Sequence, residues 1–291
     1  MLYYTKHATP IYTDMKLPIT IVGSGSAGNS VCIEPLRMLI DVGFAYQKIA
    51  DKVNLDQVDF VALTHEHGDH INFATLKRFA RRHPHLRIIT PERLWKVLQE
   101  KDPTIKDHIG DMVRAFQFDK PFTLETRDKT AYTVIPHSTE HGDVINVAYE
   151  IDFSQMDTRI LYATDLDTFD RDHSGFPSGL PNGEHTKFNL IFLEANYDED
   201  VLEEYIVQKE RAMQALKTAD FNNLPKPDEE RTIRNAIFRA KSNLRHVSEQ
   251  KAISYVRRYL TEHGIFIPMH ASRSFGTYFQ DMAEEDEGIT E

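Results

Sequence analysis

Short apolar runs dominate the first two thirds of the chain. Several are continuously apolar, which is typical of strands buried on both faces. Together with one later run they predict twelve strands, at residues 17–23, 30–34, 37–42, 59–64, 86–90, 112–118, 121–126, 131–136, 144–151, 158–164, 188–195 and 264–268. Patterns of helical period predict helices at residues 45–53, 73–82, 92–100, 198–220, 228–244 and 248–263. Strand patterns thus dominate the first two thirds of the chain and helical patterns the last third.

The stretch from residue 167 to 187 interrupts this pattern. It is rich in Gly, Pro and Asp, has no apolar period and is longer than most loops. Elsewhere, no run of eighteen apolar residues predicts a membrane-spanning helix. The first residues lack a basic region followed by an apolar one, so no signal peptide is expected. Cys32 is the single cysteine, which excludes an internal disulfide and fits a reducing cytoplasm.

The formal net charge of −11 makes the whole chain a poor non-specific binder of nucleic acid. The charge is nevertheless uneven, because the segment 209–258 contains twelve basic and six acidic residues. Two interpretations of this segment stay open. It is either a solvated helix face or a region that guides a phosphate substrate.

The motif LTHEHGDH follows the predicted strand 59–64 directly. Side chains in a tight loop after a buried strand are fixed in position while their tips stay accessible. His65 and His67 are two residues apart and can share one metal ion, whereas Asp69 and His70 face a second. Imidazole nitrogen and carboxylate oxygen suit zinc, and also manganese or iron. The motif therefore predicts a metal site.

Three further candidate ligands follow other predicted strands. They are His137, Asp165 and His270, and with the loop they make seven ligands for two metal ions, with Asp165 as the bridge. His141 is an alternative to His137. We prefer His137 because it directly follows the predicted strand 131–136. Two ions sharing such a site would activate a water molecule at neutral pH.

LTHEHGDH resembles the signature of the metallo-β-lactamase fold, and Asp41, at the end of MLIDVG, matches the early Asp of that fold. The resemblance implies that Asp41 orients the metal loop rather than binding metal. It also implies an α/β four-layer αβ/βα sandwich with the metals at one edge. We expect a single domain over residues 1–291, with a core at about 17–275, an inserted loop at about 167–187 and an added helical segment at about 199–244.

The segments GSGSAGNS, FLEANYD and RHVSEQKA are similar to those of YycJ/WalJ-type nucleases. Glu194 and His246 also resemble the paired motifs of tRNase Z, in which a Glu and a His act together beside the leaving oxygen. The resemblance thus implies catalytic roles for Asp69, Glu194 and His246, supported by Asp41. In this fold the glycine-rich loop lies near the site. Residues expected to contact substrate are therefore Ser26 and Asn29 in that loop, and Arg245, where the family usually has Gly.

We therefore expect a cytoplasmic phosphodiesterase with two divalent metal ions, zinc or alternatively manganese, acting on the end of a single-stranded nucleic acid. The closest alternative is a cyclic-nucleotide phosphodiesterase, a class that includes phage-encoded enzymes that defeat bacterial signalling. A metal-binding protein without catalysis, or a thioester or lactone hydrolase, are further alternatives. Two long helices offer a surface for a homodimer, and no membrane partner is expected.

Overall fold

The structure is a computed structural model that describes residues 17–167, 179–181, 187–218, 227–272 and 274–276. Most of the predicted loop 167–187 and the acidic end of the chain lie outside these residues. Two six-stranded sheets form the centre. The first sheet contains β1 (Ile19–Gly23), β2 (Ser30–Ile33), β3 (Met38–Ile40), β4 (Phe60–Ala62), β5 (Arg87–Pro91) and β6 (Val113–Phe116), in that order.

The second sheet has the strand order β12-β11-β10-β9-β8-β7. Its strands are β7 (Phe122–Glu125), β8 (Ala131–His141), β9 (Val144–Phe153), β10 (Thr158–Ala163), β11 (Phe188–Glu194) and β12 (Leu260–Met269). The α-helices of the described residues are α1 (Tyr46–Ala50), α2 (Phe73–Arg82), α3 (Glu92–Lys101), α4 (Ile105–Ile109), α5 (Glu199–Thr218), α6 (Pro227–Ser242) and α7 (Glu249–Tyr259).

The two sheets pack face to face, and helices cover their outer faces. Apolar side chains from both sheets form the central core, which includes Ile40, Ala62, Tyr149 and Phe192. A second core joins the first sheet to α1–α4, and a third joins the second sheet to α7. This is the predicted four-layer αβ/βα sandwich, which the structure confirms.

The direction of the strands brings the candidate ligands to one edge. β3 and β4 are parallel neighbours in the first sheet, as are β10, β11 and β12 in the second. The carboxyl ends of parallel strands lie at the same edge of a sheet. The loops that carry the histidine motif, Asp165, Glu194 and His270 therefore start from two facing sheet edges.

Some predicted boundaries are wrong. β8 continues to His141 instead of ending at residue 136, and α7 ends at Tyr259, where β12 begins at once. Helix α4 was not predicted. The N-cap of α7 is Ser248, whose side chain accepts from the Lys251 backbone N–H at 3.3 Å. None of the described helices combines the length and apolar character that a membrane span needs.

Candidate metal centre

The first group of potential ligands consists of His65, His67 and His141. One ring nitrogen from each lies within 4.8 Å of the others. His65 Nε2 and His67 Nδ1 are 3.0 Å apart, and the ring of His141 lies 5.3 and 5.1 Å from the rings of His65 and His67. The loop after β4 supplies two of these rings, and the end of β8 supplies the third.

A second group lies beside it and consists of Asp69, His70 and His270. Asp69 Oδ2 is 3.8 Å from His70 Nε2 and 3.7 Å from His270 Nε2. Asp165 lies between these rings, with one oxygen 2.9 Å from His70 Nε2 and the other 3.4 Å from His270 Nε2. Asp165 also groups with His65. The structure thus brings together six of the seven predicted ligands.

Buried hydrogen bonds fix which nitrogen each ring presents. Asp41 accepts from the Thr64 backbone N–H and from the Thr64 hydroxyl, both at 2.8 Å. Since that hydroxyl hydrogen is used, Thr64 Oγ1 accepts from His65 Nδ1 at 3.0 Å. His70 Nδ1 lies 2.7 Å from Asp41 Oδ2, the oxygen that also accepts from the Thr64 hydroxyl, and donates to it. Both rings therefore turn Nε2 to the site, which is the usual effect of a carboxylate behind a metal ligand.

The protonation states follow from burial and charge. Burial lowers the pKa of His65 and of His141, so both imidazoles are neutral at pH 7. Burial alone would also lower the pKa of His70, but the Asp165 and Asp41 carboxylates outweigh it and raise that pKa to about 10. The charges of His270 and His70 hold the pKa of the buried Asp165 well below its usual range.

His137, which was predicted as a ligand, is in none of the possible ligand groups found among the described residues. Its Nε2 lies 2.9 Å from Glu150 Oε2, and Glu150 is also paired with Arg159. Because β8 runs four residues further than predicted, the strand end falls at His141, about 13 Å beyond His137. His141, the alternative, occupies the place that His137 was expected to take.

Glu194 and His246 lie next to the second group. Glu194 Oε1 is 2.6 Å from His246 Nδ1 and 3.4 Å from His270 Nδ1, and Glu194 Oε2 accepts from the Leu166 backbone N–H at 2.5 Å. Burial alone would lower the pKa of His246, but the Glu194 carboxylate raises it. The His246 ring lies 5.0 Å from the His270 ring. The Nε2 atom of His246 has no hydrogen-bond partner among the described residues.

A family model described as a beta-lactamase superfamily domain matches residues 36–224. The chain belongs to the beta-lactamase superfamily. Two solved structures share its fold: the short form of human tRNase Z (TM-score 0.52, 13% identity, 90% of this chain and 93% of that chain) and unliganded yeast PDE1 (TM-score 0.52, 11% identity, 96% and 93%). No curated protein sequence matches this chain.

The donor set of this superfamily member fits divalent transition metals. Three imidazoles form one group, and two carboxylates lie beside two imidazoles in the second. The raised pKa values of His70 and His270 mean that protons hold these carboxylate–imidazole contacts together. A bound cation would replace those protons, because a ligating imidazole nitrogen has to be unprotonated.

The residues predicted to contact substrate lie in different surroundings. Asn29 is buried, with Nδ2 2.8 Å from His70 Nε2, and its backbone N–H donates to Asp69 O at 2.7 Å. It therefore braces the metal loop. Ser26 is exposed at the tip of the glycine-rich loop, and Arg245 is exposed beside His246. Their contact with substrate stays a prediction.

Sequence reasoning missed three residues that support the site. Ser24 Oγ accepts from the His270 backbone N–H at 2.7 Å. Asn146 donates to the backbone of Asp165, and Asn196 to that of His270. Asn196 follows Glu194 by two residues, so its place after a strand was a usable signal. Asn146 lies inside a predicted strand, so the sequence contained no signal that would have identified it.

Proposed function

We propose that this chain is a two-metal phosphodiesterase, with a single-stranded nucleic acid end as its first candidate substrate. The observation that carries the proposal is the Glu194–His246 pair, at 2.6 Å, beside the second group of ligands. The two solved structures share only the fold with this chain, so the proposal depends on its own residues.

In this proposal His65, His67 and His141 hold one metal ion. Asp69, His70 and His270 hold the other, and Asp165 lies where it can serve both. Zinc is the first candidate and manganese the alternative, on the chemistry of the donors. Bound ions of this kind lower the pKa of a water nucleophile and polarise a phosphoryl oxygen.

In this proposal His246 supplies a proton and a positive charge, which the metal ligands do not. Glu194 holds Nδ1 and so directs Nε2 outward from the pair. An imidazolium there can give its proton to the leaving oxygen and stabilise negative charge on the phosphate. A positioned acid for a leaving oxygen and a cation beside a phosphate together suit phosphodiester chemistry.

The nucleic-acid candidate depends on cations near His246. Arg245 precedes it, and Arg239 lies on α6; both are exposed. The remaining charge is less favourable than the sequence suggested, because Arg234 is paired with Glu230 and Lys241 with Glu210. Together with the net charge of −11, these pairs favour a second candidate, a small cyclic nucleotide.

A substrate panel distinguishes the two. The protein loaded with Zn²⁺ or Mn²⁺ is given 5′-labelled single-stranded DNA, the matching RNA and 3′,5′-cyclic nucleotides, with Asp165→Asn as the inactive control. Cleavage of strands that weakens steeply with salt supports the nuclease, since phosphate contacts release counterions. Activity confined to cyclic nucleotides supports the second candidate. No phosphodiester cleavage with metals bound contradicts the proposal.

A further inference from the structure

Three site residues adopt a backbone conformation that L-amino acids rarely take. Asp41, Asp165 and His270 have φ angles of 60°, 54° and 52°, and all three are buried. The left-handed region is unfavourable for residues with a Cβ, although Asp and His tolerate it better than most. The other non-glycine residues with positive φ in the described ranges are half-buried or exposed, namely Arg37, Asp119, Lys129 and Asp157.

Each of the three residues has its backbone carbonyl held by a buried side chain. The donors are a serine hydroxyl and two asparagine amides, each at most 4% exposed. The pairs are Ser30 Oγ with Asp41 O (2.8 Å), Asn146 Nδ2 with Asp165 O (2.8 Å) and Asn196 Nδ2 with His270 O (2.6 Å). A carbonyl fixed in this way cannot rotate freely with the peptide plane, so each donor restrains the conformation of the site residue.

Asn146 restrains the peptide units on both sides of Asp165. Its Nδ2 donates to Thr164 O at 3.1 Å as well as to Asp165 O. Two carbonyl oxygens can only accept, so the amide nitrogen rather than the oxygen has to face them. Both amide hydrogens are thereby used on the segment that carries the proposed bridging ligand.

Asn196 joins two parts of the site. Its Nδ2 lies 3.2 Å from His270 Nδ1 in addition to its bond to His270 O. Its backbone N–H donates to Val247 O at 2.8 Å, directly after His246, and its carbonyl accepts from the Ser272 N–H at 2.6 Å. One residue therefore ties the turn that carries His246 to the loop that carries His270.

We propose that Ser30, Asn146 and Asn196 are positioning residues, which hold Asp41, Asp165 and His270 in the left-handed conformation that metal binding needs. The inference rests on the proposed metal site. Without the donor, the backbone relaxes toward a common region of φ and ψ. That rotation turns the Cα–Cβ bond and moves the ligand atom of Asp165 or His270 away from its group, or the Asp41 carboxylate away from His70.

The test compares Asn146→Ala and Asn196→Ala with Asn189→Ala. Asn189 is a matched control, because its side chain also bonds a backbone group, accepting from the Arg159 N–H at 2.8 Å, but away from the site. Zinc affinity is measured by competition with a chromophoric chelator, and thermal unfolding is measured on the metal-free protein. We expect the two site variants to bind zinc about 10–100-fold more weakly, as loss of a group behind a ligand does.

The expected result for Asn189→Ala is unchanged zinc affinity, with a fall in unfolding temperature similar to that of the site variants. Asn146→Leu fills the volume without a donor and should lose as much affinity as Asn146→Ala. Folded site variants that bind zinc like the unchanged protein would overturn the inference. An unchanged protein that binds neither zinc nor manganese would instead contradict the proposed function. If the asparagine variants do not fold, Ser30→Ala repeats the test at Asp41 with a smaller expected loss.

Discussion

Strand β4 has a buried polar cluster at each end, and the two clusters differ in kind. At its start, the Asp59 carboxylate is 2.9 Å from Arg37 Nε and 2.5 Å from Arg127 Nε, and it accepts from the Arg127 backbone N–H at 2.7 Å. Every oxygen of this carboxylate faces a donor or a cation within the protein. Such a cluster is complete without a ligand and joins distant segments of chain.

At the other end of β4, the polar side chains do not all pair with one another. His65 Nε2 and His67 Nδ1 approach to 3.0 Å, and His141 joins them without any carboxylate in the trio. Burial keeps His65 and His141 neutral, although the nearby Asp165 carboxylate acts in the opposite direction on the pKa of both rings. The contrast is between a cluster whose charges are paired within the protein and a cluster of metal-ligating groups that converge from several loops.

The strongest test of this contrast removes one negative charge from the cluster at each end of β4. Asp165→Asn should lower the metal content and abolish hydrolysis, because the shared ligand loses its charge. Asp59→Asn should leave metal content unchanged but lower the free energy of unfolding by about 2–3 kcal/mol. The value lies below that of a fully buried pair because Arg127 is half exposed. Elemental analysis and denaturant unfolding measure the two effects. Metal loss in Asp59→Asn would contradict the distinction.

The next effect concerns His141, which we propose as a ligand in place of His137. His141→Ala should remove one of the two metal ions. Metal affinity should fall by more than the roughly 10–100-fold that follows loss of a group behind a ligand. His137→Ala is the matched control on the same strand. It should keep both ions, since the His137 ring bonds Glu150 and lies outside the site. Metal loss in His137→Ala but not in His141→Ala would restore the original prediction.

The sequence was sufficient for the fold and most of the site, because both depend on local pattern. Apolar runs predicted the twelve strands, and six of the seven candidate ligands predicted from the sequence lie together in the structure. His137 lies apart from them because the predicted strand 131–136 ends too early. In the structure β8 stays paired with β9 through residues 137–141, and a pairing partner elsewhere in the chain is not visible locally.

Side chains that contact the site residues from distant parts of the chain could not be predicted from the sequence either. Asn146 and Ser30 lie inside strands and contact Asp165 and Asp41, respectively, only because of how the chain folds. Pairing in space also bears on the two interpretations of the basic segment. Lys241 on α6 finds Glu210 on α5, so a charge that was unpaired along the sequence is paired in space.

A smaller and more specific effect is expected at the Glu194–His246 pair, which resembles the Asp59 cluster in being a close ion pair. His246→Ala should leave both metals bound and reduce turnover by about 10²–10⁴, the range of a positioned acid–base group. The loss should be smaller with a nitrophenyl phosphodiester, whose leaving group needs little protonation. Equal losses on both substrates would assign phosphate binding to His246. Lost stability with unchanged turnover would make the pair structural, like that of Asp59.

The smallest expected effect is at Asp41, which is buried like Asp59 but serves the other end of β4. In Asp41→Asn the amide can place its oxygen on the Thr64 N–H, and its NH₂ then faces His70 Nδ1. To accept from that NH₂, His70 has to move its proton to Nε2, which blocks the nitrogen that faces the metal. We expect zinc affinity to fall about 10–100-fold. Chelator competition measures it, with Asp59→Asn as the control of equal charge change. If both variants lose only stability, the two ends of β4 do not differ as argued, and Asp41 supports the fold rather than the metal loop.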